Sequence, residues 1–587
     1  MTDGHPLPFR TPIPGDIHAA TTAERLAARG PLAVAARQAT LSLLTGEPFD
    51  VVIIGGGIVG AGVAREAALA GLRVALLERD DFASGTSSRS SRLVHGGVRY
   101  LEHGHFSLVF ESSRERRLLL ALAPHLVRPL AFTWPVYRGD RVALWKVRAG
   151  LTLYDALSLF RNVHAHQSLD AARVLTREPA LARDGLVGGA RYWDAATDDA
   201  RLTLTSAIAA REDGAVVANH LSVVGALRTG PGARLSGVIA EDRLTGTPLT
   251  VQARVVVNAT GPWSDATAAL TAASSAAVQG AQVRGSAGAH IAVPRQRLGN
   301  NEAVTLVSPI DGRVMFVLPS GAHAIIGTTE HPAQRGPDEI RATEVEVDYL
   351  LRTVNARFPN ASLTMDDVIA AWSGIRPLAA VRAGERSANT ASREHAVTHR
   401  ADGLVSVTGG KLTTYRSMSI DVLQHARREL EAAGATVTRA TRPDSAHTPL
   451  PGGDVVSRDA AMHDARETVH DAAVGERLVT AYGSRWRNVW SFAQRDPSLV
   501  RRLVEDLPYL LAEVPHAVER EMACTLADVL MRRTHVAFET RDHGRAAARR
   551  IAPLLAASLA WSAEETARQV TRYDSEVERV FGIDRVG

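Results

Sequence analysis

The first sustained hydrophobic pattern in the chain begins at residue 50. Val51–Ile54 is an unbroken β-branched run, which predicts a strand buried on both faces. Glycines follow, and from Ile58 small and apolar residues recur at helical spacing. Arg73–Leu77 predicts a second strand, closed by Glu78. Two later stretches echo this layout. VQARVVVNATGPW (251–263) predicts a strand running into Ala259-Thr260-Gly261, where small residues let backbone approach a ligand. GLVSVTGGKLTTYR (403–416) predicts a strand, a double glycine and a helix beginning near Leu412. SAGAHIAVP (286–294) reads as an apolar strand opened by His290. Beyond residue 445 the pattern is helical. There Pro553 is expected to interrupt HGRAAARRIAPLLAASLAW (543–561) and start a new helix, and Ser562 with Glu565 predicts a capping box opening another helix.

The strand, Gly55-x-Gly57-x-x-Gly60 and the helix form a dinucleotide fingerprint. Gly55 permits the tight turn, Gly57 lets backbone approach a pyrophosphate, and Gly60 lets the helix pack on the strand. The helix N-terminus offers unpaired N–H groups and the positive end of its dipole. Glu78 stands at the right distance to accept hydrogen bonds from ribose hydroxyls. A plain glycine-rich turn does not account for strand, helix and acid together. GLVGGA (185–190) lacks a preceding strand, so one dinucleotide is expected. The fingerprint alone does not choose between NAD and FAD.

With 587 residues the chain exceeds one compact core, and two or three domains are expected. A net charge of +4 and the lack of a basic block interleaved with aromatics argue against nucleic acid as a partner. Cys524 is the sole cysteine. It permits no internal disulfide, which fits a reducing, cytoplasmic setting, and it cannot hold an iron–sulfur cluster or a cysteine-rich zinc site. No metal site is expected, and electrons need an organic carrier. No run of about 20 apolar residues occurs, so contact with a membrane is expected to be peripheral. The first 48 residues, Pro-rich and then Ala/Arg-rich, are expected to form a poorly ordered extension.

SGTSSRSSRLVHGGVRYLEH (84–103) resembles the flavin-binding signature of FAD-dependent glycerol-3-phosphate dehydrogenases. VVVNATGPW, IIGTTE (325–330), SGIRPL (373–378) and GGKLTTYR (409–416) agree with it, in the family's order. The resemblance runs from about residue 48 to the C-terminus. It implies an α/β fold with a Rossmann-like FAD-binding domain, an interleaved antiparallel-sheet substrate domain, and an α-helical C-terminal domain. The core would be related to the D-amino-acid and glycine oxidases. Residues 49–445 would form that core, with flavin segments at about 49–115, 200–275 and 370–430 and substrate segments at about 116–199 and 276–369. Residues 446–587 would form the helical domain.

The implied cofactor contacts are Gly55, Gly57, Gly60, Glu78, Thr86, Ser87, Ser88, Arg92, Leu93, His95, Gly96, Gly97, Ala259, Thr260, Gly261, Gly410, Lys411, Leu412 and Thr413. The implied reaction is oxidation of sn-glycerol 3-phosphate to dihydroxyacetone phosphate. Its catalytic residues would be His290, Arg376 and Lys411, with Arg99, Tyr100 and Thr329 also on the substrate. Arginine suits phosphate because its planar fork bonds two oxygens at once. Histidine suits proton acceptance near neutral pH. Arg99 has a plainer reading as a salt bridge to Glu102, and His290 as a hydrogen-bonded core residue. The family usually has serine where this chain has Ala289, and aspartate where it has Glu330.

Electrons are expected to pass to a quinone at the inner face of the cytoplasmic membrane, with oxygen as the variant acceptor. The basic and apolar stretch 543–561 is read as a packed helix with a solvated basic end in preference to a lipid anchor. The helical domain's role stays open among oligomerisation, partner docking and lid support. An amino- or hydroxy-acid oxidoreductase and a non-enzymatic flavin scaffold are the remaining alternatives.

Overall fold

The computed structural model describes residues 30–159, 162–230, 233–273, 281–380, 394–435 and 445–585. Val51–Ile54 becomes the strand Phe49–Ile54, buried as the β-branched run requires. It lies between two parallel neighbours, Val74–Leu77 and Thr247–Asn258. Leu404–Gly409 extends the sheet beside Thr247–Asn258, and Val216–Ala218 extends it beyond Val74–Leu77. Helix Ile58–Leu69 covers one face, together with Asp199–Glu212 and Tyr415–Ala432. The ends of Phe49–Ile54, Thr247–Asn258 and Leu404–Gly409 therefore open at one edge, where parallel α/β sheets bind ligands.

A second, ten-stranded sheet carries Val283–Pro294, His323–Gly327, Val314–Ser320, Ala303–Val307, Arg128–Tyr137 and Leu186–Ala196. Its pairs are mostly antiparallel. Ala370–Ala379 belongs here and not with the flavin segment 370–430, because ten of its residues pair in register with Val283–Pro294. The short strand Leu93–Val94 joins the far edge of the same sheet. The signature segment thus leaves the parallel sheet and enters the antiparallel one.

Helices dominate from Arg458 to Phe581. Helix Arg545–Leu559 runs through Pro553, contrary to the expected break. Ile551, Ala552 and Leu555 are buried around the proline, so packing outweighs the lost N–H. That burial also turns the apolar side of 543–561 inward, while Arg549 pairs with Asp574 at 3.0 Å. Ser562 caps Ala563–Phe581, accepting from the Glu565 N–H at 3.1 Å. In the N-terminal extension, Gly30–Leu44 is a helix where poor order was expected. Arg37 ties it to Asp242 at 2.7 Å, and Leu44 is buried.

Buried charge joins the helical domain to the parallel sheet. Asp81 accepts from Arg532 at 2.6 Å and from Arg533, and Asp528 accepts from Arg532 at 2.7 Å. His220 Nε2 lies 2.9 Å from Asp528. Asp81, His220 and Asp528 have metal-ligand spacing, but the two arginines already balance the two carboxylates. No helix among the described residues is long and apolar enough to cross a membrane.

Candidate active site

The dinucleotide end fits its expected ligand. A side chain on Gly60 would collide with the Gly55 carbonyl oxygen, so only glycine lets the helix settle on the strand. Gly57 caps Ile58–Leu69 without a side-chain bond, and Ser87 Oγ takes the Ile58 N–H at 3.0 Å. Glu78 accepts the N–H of Gly56 at 2.6 Å and of Asp80 at 2.8 Å, which leaves lone pairs for hydroxyl donors. Burial, with Asp80 adding to it, pushes its pKa up to about 7. The Ala259 N–H donates to the Ile54 carbonyl at 2.9 Å, so Ala259-Thr260-Gly261 lies beside the fingerprint.

The reactive end is built from strand register. His290 has Trp372 opposite it on one side and Gly327 on the other. A Cβ at Gly327 would overlap the His290 ring, so that glycine makes room for it. The imidazole stacks on Trp372, with centroids 5.5 Å apart and planes at 11°. Its Nε2 lies 2.8 Å from Ser91 Oγ, and Nδ1 is buried with no hydrogen-bond partner among the described residues. Burial first, then Arg376 and Arg92, hold the pKa down to about 3, so the ring is neutral.

Arg376 lies opposite Ser286 in the register and donates from Nη2 to Thr328 Oγ1 at 3.2 Å. Gly288 permits this meeting: a Cβ there would lie 2.6 Å from Thr328 Oγ1 and 2.9 Å from Arg376 Nη1. Thr329 is turned elsewhere. Its hydroxyl accepts the Ala289 N–H at 2.8 Å and donates to Glu346 at 2.6 Å. Thr328 is therefore the threonine beside Arg376, while the hydroxyl of Thr329, expected on the substrate, is engaged by Ala289 and Glu346. Ser286 Oγ reaches Glu330 at 3.4 Å.

One segment connects these parts. Thr86 Oγ1 donates to the Ile375 carbonyl at 2.7 Å, next to Arg376. Ser91 meets His290. The His95 N–H donates to Thr413 Oγ1 at 3.1 Å, which draws in the Gly410-Lys411-Leu412 loop. Lys411 Nζ sits 3.6 Å from the centroid of the Tyr100 ring. Gly96 N–H is held by Asp194 at 3.0 Å, and the Tyr100 ring covers Gly97. Ser88 Oγ reaches back to the Gly85 carbonyl at 3.5 Å, and Leu93 is buried in its short strand. The Arg99 side chain lies outside the described residues, and so does that of Glu102.

Two further residues of the motifs are placed by their contacts. Ala289 sits on the opposite face from His290, since strand neighbours alternate, and packs into the core. The hydroxyl that orients the ring comes from Ser91 instead. Arg92, expected on the cofactor, points toward the C-terminal domain, 5.1 Å from the Phe538 ring centroid and 3.3 Å from His535 Nδ1. Trp372 and Thr328 lay beside or inside the quoted motifs and were legible there. His535 was not, at 443 positions from Arg92.

The chain is similar to known proteins along most of its length. Residues 50–416 match the FAD dependent oxidoreductase family, and residues 444–566 match the C-terminal domain of alpha-glycerophosphate oxidase. A glycerol-3-phosphate dehydrogenase of Synechocystis sp. is 36% identical over 90% of this chain and 96% of its own. Glycerol-3-phosphate dehydrogenase 2 of Mycobacterium bovis is 40% identical over 94% of this chain and 91% of its own. The crystal structure of the Bacillus halodurans glycerol-3-phosphate dehydrogenase complexed with FAD superposes with a TM-score of 0.75 and 29% identity, covering 93% of this chain and 97% of that one. With a glycine cradle shaped for a dinucleotide, a neutral histidine and an arginine on paired strands, and relatives matched along nearly their whole length, the chain belongs to the FAD-dependent glycerol-3-phosphate dehydrogenase family.

Proposed function

We propose that the protein oxidises sn-glycerol 3-phosphate to dihydroxyacetone phosphate and passes the electrons to a quinone. The observation that carries this reading is the convergence of Arg376 and neutral His290 on paired strands with Thr328 just past the end of a third, stitched by one segment to the flavin cradle. Bound FAD supplies the acceptor for the C2 hydride. Arg376 is suited to hold the phosphate, and Thr328 fixes the guanidinium's direction. His290 takes the C2 hydroxyl proton. Its low pKa in the free protein reflects burial and two nearby cations. A phosphate dianion against Arg376 offsets that charge and makes the ring more basic as substrate binds. Lys411, over Tyr100, adds a second positive charge toward the substrate oxygen. Arg99 is assigned to the phosphate by family resemblance alone.

A lipid-dissolved quinone requires work at a membrane surface, which fits the inner face of the cytoplasmic membrane. A second reading takes oxygen as acceptor, favoured by the match of residues 444–566 to an oxidase's C-terminal domain. The test is anaerobic mixing of the yellow protein with glycerol 3-phosphate, glycerol, lactate and glycine in parallel. Only glycerol 3-phosphate should bleach the flavin. Bleaching by lactate or glycine instead would move the assignment to a carboxylate substrate. Stoichiometric hydrogen peroxide in aerobic turnover would replace quinone by oxygen.

A further inference from the structure

The turn that carries Ser91 is anchored from the C-terminal domain. Arg92 adopts φ 54°, a left-handed conformation that is costly for a residue with a side chain. Several contacts hold it there. Its N–H donates to Ser90 Oγ at 3.0 Å, and its carbonyl accepts from the Thr197 N–H at 2.9 Å. Ser90 Oγ in turn donates to Asp199 at 2.6 Å. The guanidinium lies 5.1 Å from the Phe538 ring centroid and 6.0 Å from that of Trp372. Phe538 meets Trp372 edge-on, with centroids 5.2 Å apart, on the ring system that stacks against His290.

His535 completes the anchor. Arginine only donates, so its contact at 3.3 Å requires His535 Nδ1 to accept. The ring proton then sits on Nε2, which donates to Asp198 at 2.8 Å. Burial works to raise the Asp198 pKa, but the hydrogen bond from His535 and the charge on Arg92 prevail and hold it well below the usual carboxylate range. Asp198 is itself fixed, because it caps helix Asp199–Glu212 by accepting the Arg201 N–H at 2.9 Å. The chain Asp198–His535–Arg92 thus crosses from core to C-terminal domain and back. It ends one residue from the hydroxyl that orients His290.

We infer that His535 is a positioning residue: by holding Arg92 it fixes the Ser90–Arg92 turn, and with it the Ser91 contact and the charge that faces His290. This rests on His290 acting as the base. The groups facing His290 are Arg376, Arg92, Ser91 and Trp372. Those facing His535 are Arg92, Asp198 and Asp199.

The test uses the FAD-loaded full chain and anaerobic stopped-flow reduction at saturating glycerol 3-phosphate, from pH 5 to 9. His535→Leu should slow reduction roughly tenfold to a hundredfold with the FAD content unchanged. It should also move the acid limb of the rate profile upward by about half a unit, because a loosened Arg92 depresses the His290 pKa less. Arg92→Met should move the limb in the same direction. His535→Gln, which keeps an acceptor toward Arg92, should recover most of the rate. The inference is overturned if His535→Leu and Arg92→Met leave the limb in place, or if Gln and Leu are equally impaired. Failure of the base reading has a separate signature: His290→Asn reducing the flavin as fast as the parent.

Discussion

The parallel sheet and the antiparallel sheet build their candidate sites by different means. In the first, the groups that matter lie between Val51 and Glu78, and they act mainly through backbone: a glycine turn, helix N–H groups, a carboxylate held by two peptide N–H bonds. In the second, His290, Trp372, Thr328 and Arg376 come from three separate stretches and offer side chains. Backbone sites tolerate almost no change of shape at their glycines. Side-chain sites tolerate substitution of the fold around them but depend on partners brought from far along the chain.

That contrast can be broken most severely at Gly60. Gly60→Val places atoms into the Gly55 carbonyl, so the protein should purify colourless and take up no FAD. A yellow variant with stoichiometric flavin would show that close helix–strand contact is not needed for the cradle. Next in size is Arg533→Met. It leaves Asp81 with one fewer buried cation and should cost about 3–5 kcal/mol in chemical denaturation. A loss below about 1 kcal/mol would mean that the charge network between helical domain and sheet adds little. The smallest effect is expected from Ala289→Ser, which restores the residue common in the family. Because Ala289 faces the core, the variant should not speed flavin reduction and should lose about 1–3 kcal/mol by burying a hydroxyl. Faster reduction would return that hydroxyl to the His290 ring.

What the sequence disclosed follows the same division. The strand–glycine–helix unit, Glu78 and the Ala259-Thr260-Gly261 loop were readable because their parts are local and their spacing is dictated by backbone geometry. His290 and Arg376 were identified through motif resemblance, yet nothing in either motif revealed that they sit on paired strands. The choice between Thr328 and Thr329 depended on which hydroxyl Glu346 captures, a contact 17 positions away. Pro553 misled because a local rule was applied where Ile551 and Leu555 supply tertiary packing. Ser562 obeyed its local rule because the N–H that it accepts from lies within the same first turn. The helical domain showed no chemistry in its pattern, since the role inferred for His535 depends wholly on Arg92 and Asp198.

The central claim is that Arg376 holds the substrate's anion beside a bound flavin while His290 takes the proton. Single-turnover reduction of the Arg376→Ala holoenzyme, measured across glycerol 3-phosphate concentrations, tests it most directly. The account predicts retained FAD and a substrate dissociation constant raised about a hundredfold, the loss of one buried charge-paired contact. Release of the flavin, or an unchanged dissociation constant, would contradict it.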